Sequence, residues 1–141
     1  MKNRKNNKGF SLVELIVVVA IMAVLVGVLA PAYLKYVENS RIQKDESAVE
    51  ELRHAVEIAL ADEDVYTQVA SGATVVVADD TAYTYTGITV PSGGTNQLQA
   101  ELNTSVGTKI DFTSKKYEGD TYTVTITIDA TTSAVSVAGT F

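Results

Sequence analysis

The sequence contains no cysteine. Thiol catalysis, cysteine-based zinc sites and iron–sulfur clusters are therefore excluded. An exported domain of this size often carries a disulfide staple, and this one has to be held by packing alone. Histidine occurs once, as His54, among Glu50, Glu51 and Glu57. One histidine without a nucleophile or an orienting acid makes no active site, and its place off the apolar stripe is that of a solvated helix residue. Acids are missing from the first nine residues, and no charge falls between Glu14 and Lys35. Glycine and proline are missing from residues 32–61. Neither Asp62-Glu63-Asp64 nor Asp79-Asp80 has the spacing of a calcium loop. No internal repeat and no phosphate-cradling glycine loop occur, so no cofactor and no metal are expected.

The chain has 141 residues, enough for one domain and an appendage. Its apolar residues are unevenly spread. Residues 15–32 carry neither a charge nor a strongly polar side chain. A helix over residues 10–33 spans roughly 36 Å, sufficient for a hydrocarbon core of about 30 Å. A head this small could hardly enclose a helix that is apolar on every side.

Charge is divided by position. Lys2, Arg4, Lys5 and Lys8 precede the apolar run, and the rest holds 7 Lys and Arg against 17 Asp and Glu. Positive residues beside a spanning segment stay cytoplasmic, which predicts the N-terminus inside and the acidic part outside. An acidic exterior repels phosphates, so no direct nucleic-acid binding is expected.

A secretory signal is cut after its apolar region at a small-x-small site, and Ala30-Pro31-Ala32 superficially resembles one. Pro31 sits badly there, and the apolar run exceeds the usual length. The Gly9-Phe10 junction lies before the run instead. Cutting there removes the cations and keeps the helix.

Lys8-Gly9-Phe10-Ser11-Leu12-Val13-Glu14 resembles the processing motif of type IV pilins and the related pseudopilins: Gly before the cut, Phe after it, and Glu four residues beyond that Phe. The resemblance is close from Lys8 to about Pro31 and looser beyond. It implies cleavage between Gly9 and Phe10 by a membrane-embedded prepilin peptidase, and methylation of the new Phe10 amine. It also implies an α+β type IV pilin fold, with one long N-terminal helix on a small antiparallel sheet. The implied partners are an inner-membrane pilus assembly platform and further copies of the chain. Before assembly the protein would be a single-pass protein of the cytoplasmic membrane; afterwards it would lie in an extracellular filament. The expected segments are a cleaved leader (1–9), a membrane or filament-core helix (10–33) and a head (34–141). The head comprises the amphipathic half of the helix (34–61) and a loop-and-sheet part (62–141).

Glu14 admits three readings. It complements the helix N-terminus, where acids are favoured. It pairs with its own chain's Phe10 amine, four residues earlier. Or, as the resemblance implies, it meets the Phe10 amine of a neighbouring subunit and sets filament assembly, an unpaired acid in an apolar surround being costly. Pro31 removes the hydrogen bond to the Gly27 carbonyl, and Gly27 is a weak helix former. The two predict a helix kink between Gly27 and Pro31.

Beyond Lys35, Ile42, Val49, Leu52, Val56, Ala59 and Leu60 fall on one stripe, predicting continuous helix from about Phe10 to about Ala61. Strands are expected over 74–78, 82–90, 110–112, 122–128 and 134–138, the fourth from its strict alternation of apolar residues with threonine. Turns are expected at 79–81, 91–94, 118–120 and 129–133. Thr95 is expected to cap a short helix through Asn103, with Leu98 and Leu102 inward. Outer-face threonines suit a solvated sheet; Asn103-Thr104-Ser105 is a formal glycosylation sequon.

The leading functional reading is a non-enzymatic pilin subunit. A pseudopilin of a type II secretion or competence apparatus shares the motif, and the missing disulfide departs from the pattern of many Gram-negative pilins. A monomeric membrane-anchored binding domain is the rival from another class, and it has no reason to keep Glu14.

Overall fold

The structure is a computed structural model that describes residues 10–90, 92–129 and 134–141. The leader 1–9, Pro91 of the expected loop and most of the 129–133 turn lie outside them. The chain divides into two units, separated between Val37 and Glu38.

In the first unit, helix α1 (Leu12–Ala59) begins, and its assignment runs on through Gly27 and Pro31. Every residue from Phe10 to Tyr36 is exposed, including Leu12, Val28 and Tyr36 at 72, 72 and 75%.

The second unit contains the rest of α1, then α2 (Glu63–Gln68), β1 (Ala73–Ala78), β2 (Thr84–Thr86), α3 (Gln97–Ser105), β3 (Thr121–Ile128) and β4 (Val135–Thr140). The four strands form one antiparallel sheet in the order β2-β1-β3-β4. The expected α+β architecture is the one found. The alternation in β3 buries Tyr122, Val124 and Ile126, which meet Val77, Val75 and Ala73 of β1 in register. The α1 stripe supplies Val49, Leu52, Val56 and Ala59 to the same core, and α3 supplies Leu98 and Leu102. The opposite sheet face is threonine-rich, with Thr86, Thr74 and Thr125 side by side.

Four local expectations need correction. The strand over 82–90 shrinks to Thr84–Thr86, because Gly87 turns the chain at φ 78°, where an added Cβ would sit 2.7 Å from the Gly72 carbonyl oxygen. Residues 110–112 are not a strand. Ile110 and Phe112 are buried, but this loop is held by the Asp79 carboxylate, which accepts from the Phe112 N–H at 2.9 Å. Helix α1 ends at Ala59 rather than Ala61, and the unexpected α2 follows at once. Asp62 caps it, its carboxylate accepting from the Asp64 N–H at 2.8 Å. The cap of α3 is Asn96, not Thr95: Asn96 Oδ1 accepts from the Gln99 N–H at 3.0 Å, while the Thr95 carbonyl accepts from Gln68 Nε2. Gln68 also accepts from the Gln97 N–H at 3.0 Å and so joins α2 to the start of α3. Asn96→Ala should cost about 1 kcal/mol, a loss of roughly 4–8 °C in the melting temperature followed by circular dichroism.

Candidate functional site

Two places in the molecule depart from an ordinary folded surface. The first is the N-terminal helix. Ser11 sits just before its first turn and Glu14 within it. The Ser11 N–H donates to Glu14 Oε2 at 3.0 Å, which is one arm of a capping box and satisfies an otherwise orphaned donor. Phe10, 89% exposed, precedes this turn. From Leu15 to Leu34 the helix presents apolar side chains on all sides, none of them buried. It is long and apolar enough to cross a membrane, and its apolar side chains are exposed. Water is a poor solvent for such a surface, so it has to be buried by lipid or by other protein. Of the residues singled out in the sequence, the structure places Glu14 within the first turn of α1 and Phe10 two residues before that helix begins. Gly27 and Pro31 lie farther along it, and Gly9 lies outside the described residues.

The second place was not anticipated. Asp45 is 1% exposed, a carboxylate set in the apolar stripe of α1. It accepts from the Thr113 N–H at 3.0 and 3.1 Å, from Thr113 Oγ1 at 3.1 Å and from the Ser114 N–H at 2.8 Å. Burial pushes its carboxyl up, but the hydrogen bonds from Ser114 and Thr113 outweigh that and hold it below the ordinary value. Glu38 and Glu46 flank it on α1. Glu38 accepts from the Lys115 N–H at 2.6 Å. Glu46 accepts from the Tyr117 hydroxyl at 2.8 Å and pairs with Lys116 at 3.2 Å, contacts that lower its carboxyl. Three acids on one helix thus hold residues 113–117. The signal in the sequence was the stripe itself: position 45 falls three residues after Ile42 and four before Val49, where an apolar residue is due.

His54 is exposed, with Nδ1 3.4 Å from Glu57 Oε2. Tyr83 and Tyr85 bury their phenols, and burial pushes both up, Tyr85 to about 12, so they stay neutral at physiological pH. Among the described residues no three His, Asp or Glu side chains gather in a metal-holding group.

Comparison with known proteins points the same way as the helix. Residues 4–30 match the model of the prokaryotic N-terminal methylation motif. The type IV major fimbrial protein FimA of Dichelobacter nodosus is 38% identical over 55 residues, covering 39% of this chain and 35% of that protein. A fimbrial protein of Pseudomonas aeruginosa is 38% identical over 56 residues, covering 40% of this chain and 36% of that protein. The matches span about a third of the length of these relatives. No solved structure matches the chain significantly. The chain therefore carries the prokaryotic N-terminal methylation motif ahead of an α+β fold consistent with that of type IV pilins, and it is similar to type IV fimbrial proteins.

Proposed function

We propose that this chain is the precursor of a non-enzymatic type IV pilin subunit. The leader is cut between Gly9 and Phe10, the Phe10 amine is methylated, and residues 10–33 form the core of a helical surface filament. The observation that carries this reading is the combination of the matched motif with a helix whose apolar side chains are uncovered from Leu15 to Leu34. Head-to-tail association with a rotation that does not close yields a fibre. In the membrane beforehand, the same helix is the anchor, with the cations of the leader inside.

Glu14 has the central role in assembly. Its carboxylate, which accepts from the Ser11 N–H of its own chain, takes the Phe10 amine of a neighbouring subunit in the fibre. Gly27 and Pro31 are where the helix bends or unwinds on packing. Glu14→Ala should leave cleavage at Gly9 intact and cut the yield of sheared filaments about tenfold or more, since the incoming amine loses its charge partner in an apolar surround. Mass spectrometry of the processed chain and immunoblots of the sheared fraction read both effects. A mutant yielding fibres at the parental level removes Glu14 from assembly.

The cysteine-free head also suits a pseudopilin of a secretion or DNA-uptake apparatus. Fibres micrometres long that contain this chain decide for the pilus.

A further inference from the structure

The apolar run of α1 is bounded by different chemistry at its two ends. The first end carries an acid: Glu14, in the first turn, accepts from the Ser11 N–H at 3.0 Å. The other end carries two phenols and a cation, Tyr33, Lys35 and Tyr36. Tyr33 and Tyr36 stand three residues apart and so share one side of the helix. Both are exposed, at 68 and 75%, as is Leu34 between them. None of the ion pairs among the described residues includes Lys35.

Between these ends, the stretch from Leu15 to Leu34 carries no charge. As α-helix it is roughly 30 Å long, which equals the thickness of a bilayer's hydrocarbon core. A helix of that length stands along the membrane normal without apolar excess to hide by tilting. Beyond its last residue the chemistry required is that of the headgroup layer. A tyrosine ring is apolar and its hydroxyl seeks water, so it settles at that level. A lysine buries its stem there and lifts its ammonium to the phosphates.

We propose that Tyr33, Lys35 and Tyr36 form a collar that seats the unassembled chain in the headgroup layer of one leaflet, with lipid phosphate as the partner of Lys35. The collar fixes how deep α1 sits. Glu14 then lies at the opposite boundary of the hydrocarbon, within reach of water, where a carboxylate costs far less than at the midplane. It loses that water only when the helix leaves the lipid for other protein.

Two features select lipid as the occupant. The charge-free length equals the hydrocarbon thickness, a length that a protein partner has no reason to set. The residues that end it are an aromatic pair with polar tips and a cation unpaired within the chain, which complement a layer of phosphates and water. The proposal rests on the membrane step of the reading above and not on the filament.

The chain has no native cysteine, so a single nitroxide label reports depth cleanly. The full chain is reconstituted in phosphatidylcholine–phosphatidylglycerol vesicles with a label on Val13→Cys, Leu25→Cys or Leu34→Cys, all of which leave the collar intact. Power saturation against oxygen and a water-soluble nickel chelate should place the Leu25 label about 10 Å or more deeper than the other two. Tyr33→Leu, Lys35→Leu and Tyr36→Leu together extend the charge-free run to Val37. They should sink the Leu34 label by about 2–4 Å. Tyr33→Trp, Lys35→Arg and Tyr36→Trp together keep the collar chemistry and should hold the parental depth. A Leu34 or Val13 label as deep as the Leu25 label overturns the proposal. So does a Leu34 label that stays in place when the collar is leucine, or a Leu25 label that reads as exposed to water. The vesicles contain no assembly machinery, so a chain that gives the expected depths yet never forms fibres removes the pilus reading and leaves the collar.

Discussion

Replacing Asp45 with alanine should lower the melting temperature of the head by on the order of 10–20 °C, the largest single-residue effect on its stability. The carboxylate is 1% exposed and takes both backbone N–H groups of Thr113 and Ser114 as well as the Thr113 hydroxyl. Alanine leaves those donors facing an apolar helix. An unsatisfied buried donor costs about 1–3 kcal/mol, and two amides and a hydroxyl place the total near 3 kcal/mol or above. For a domain of about a hundred residues each kcal/mol moves the midpoint by roughly 4–8 °C. Asp45→Asn keeps one carbonyl acceptor and should cost less. The two variants also separate in acid. Because the folded carboxyl is held below its ordinary value, its contribution is full above the unfolded carboxyl pKa of about 3.9. It is lost as the pH falls below that value and through the lower folded one. Parental chain melted at pH 7 and pH 3 should show that loss; Asp45→Asn should show a smaller one. Equal acid sensitivity in the two would mean that the carboxylate of Asp45 is not the group responsible.

This anchor marks where the sequence is legible and where it is not. The N-terminal motif can be read because its chemistry lies in one contiguous stretch, from Lys8 to Glu14. The α1 stripe and β3 can be read because each repeats its own period several times, as Val49, Leu52 and Val56 do on the helix and Tyr122, Val124 and Ile126 on the strand. What cannot be read depends on residues far apart. Asp45 meets Thr113 across 68 positions, and Asp79 meets Phe112 across 33. Ile110 and Phe112 alternate as a strand would, yet the Phe112 N–H goes to the Asp79 side chain and the Ile110 carbonyl accepts from the single N–H of Asp80, so no ladder forms. The hairpins β1–β2 and β3–β4 join sequence neighbours. The pairing of β1 with β3, which makes them one sheet, bridges everything from Ala78 to Thr121 and leaves no local trace. Helix α2, at six residues, is too short to show a period, and only its acidic start at Asp62 betrays it. The features on which the proposed function rests lie at the legible end of this scale because a membrane-length apolar helix needs no tertiary context to be recognised.

The second large effect is expected at Gly139. A Cβ there would lie 1.7 Å from the hydroxyl oxygen of Tyr122 and 2.4 Å from its Cζ, so the ring occupies the space of the missing side chain. Tyr122 cannot simply swing aside. It is 4% exposed, and its ring centre lies 4.8 Å from that of Phe141, which is itself stacked on Tyr117 at 4.1 Å. Gly139→Val should therefore cost about 2–3 kcal/mol, at the upper end for overpacking, although valine is intrinsically the better strand former. The midpoint should fall by on the order of 10 °C. The cause can be isolated by a second change. Tyr122→Leu alone should cost about 2 kcal/mol through lost packing, but it vacates the space beside Gly139. If the ring is what demands glycine, the double variant should be more stable than the sum of the single losses allows, by about 1 kcal/mol or more. Strictly additive losses in chemical denaturation of the full chain would mean that Gly139 is required for another reason, and that Tyr122 has room to move.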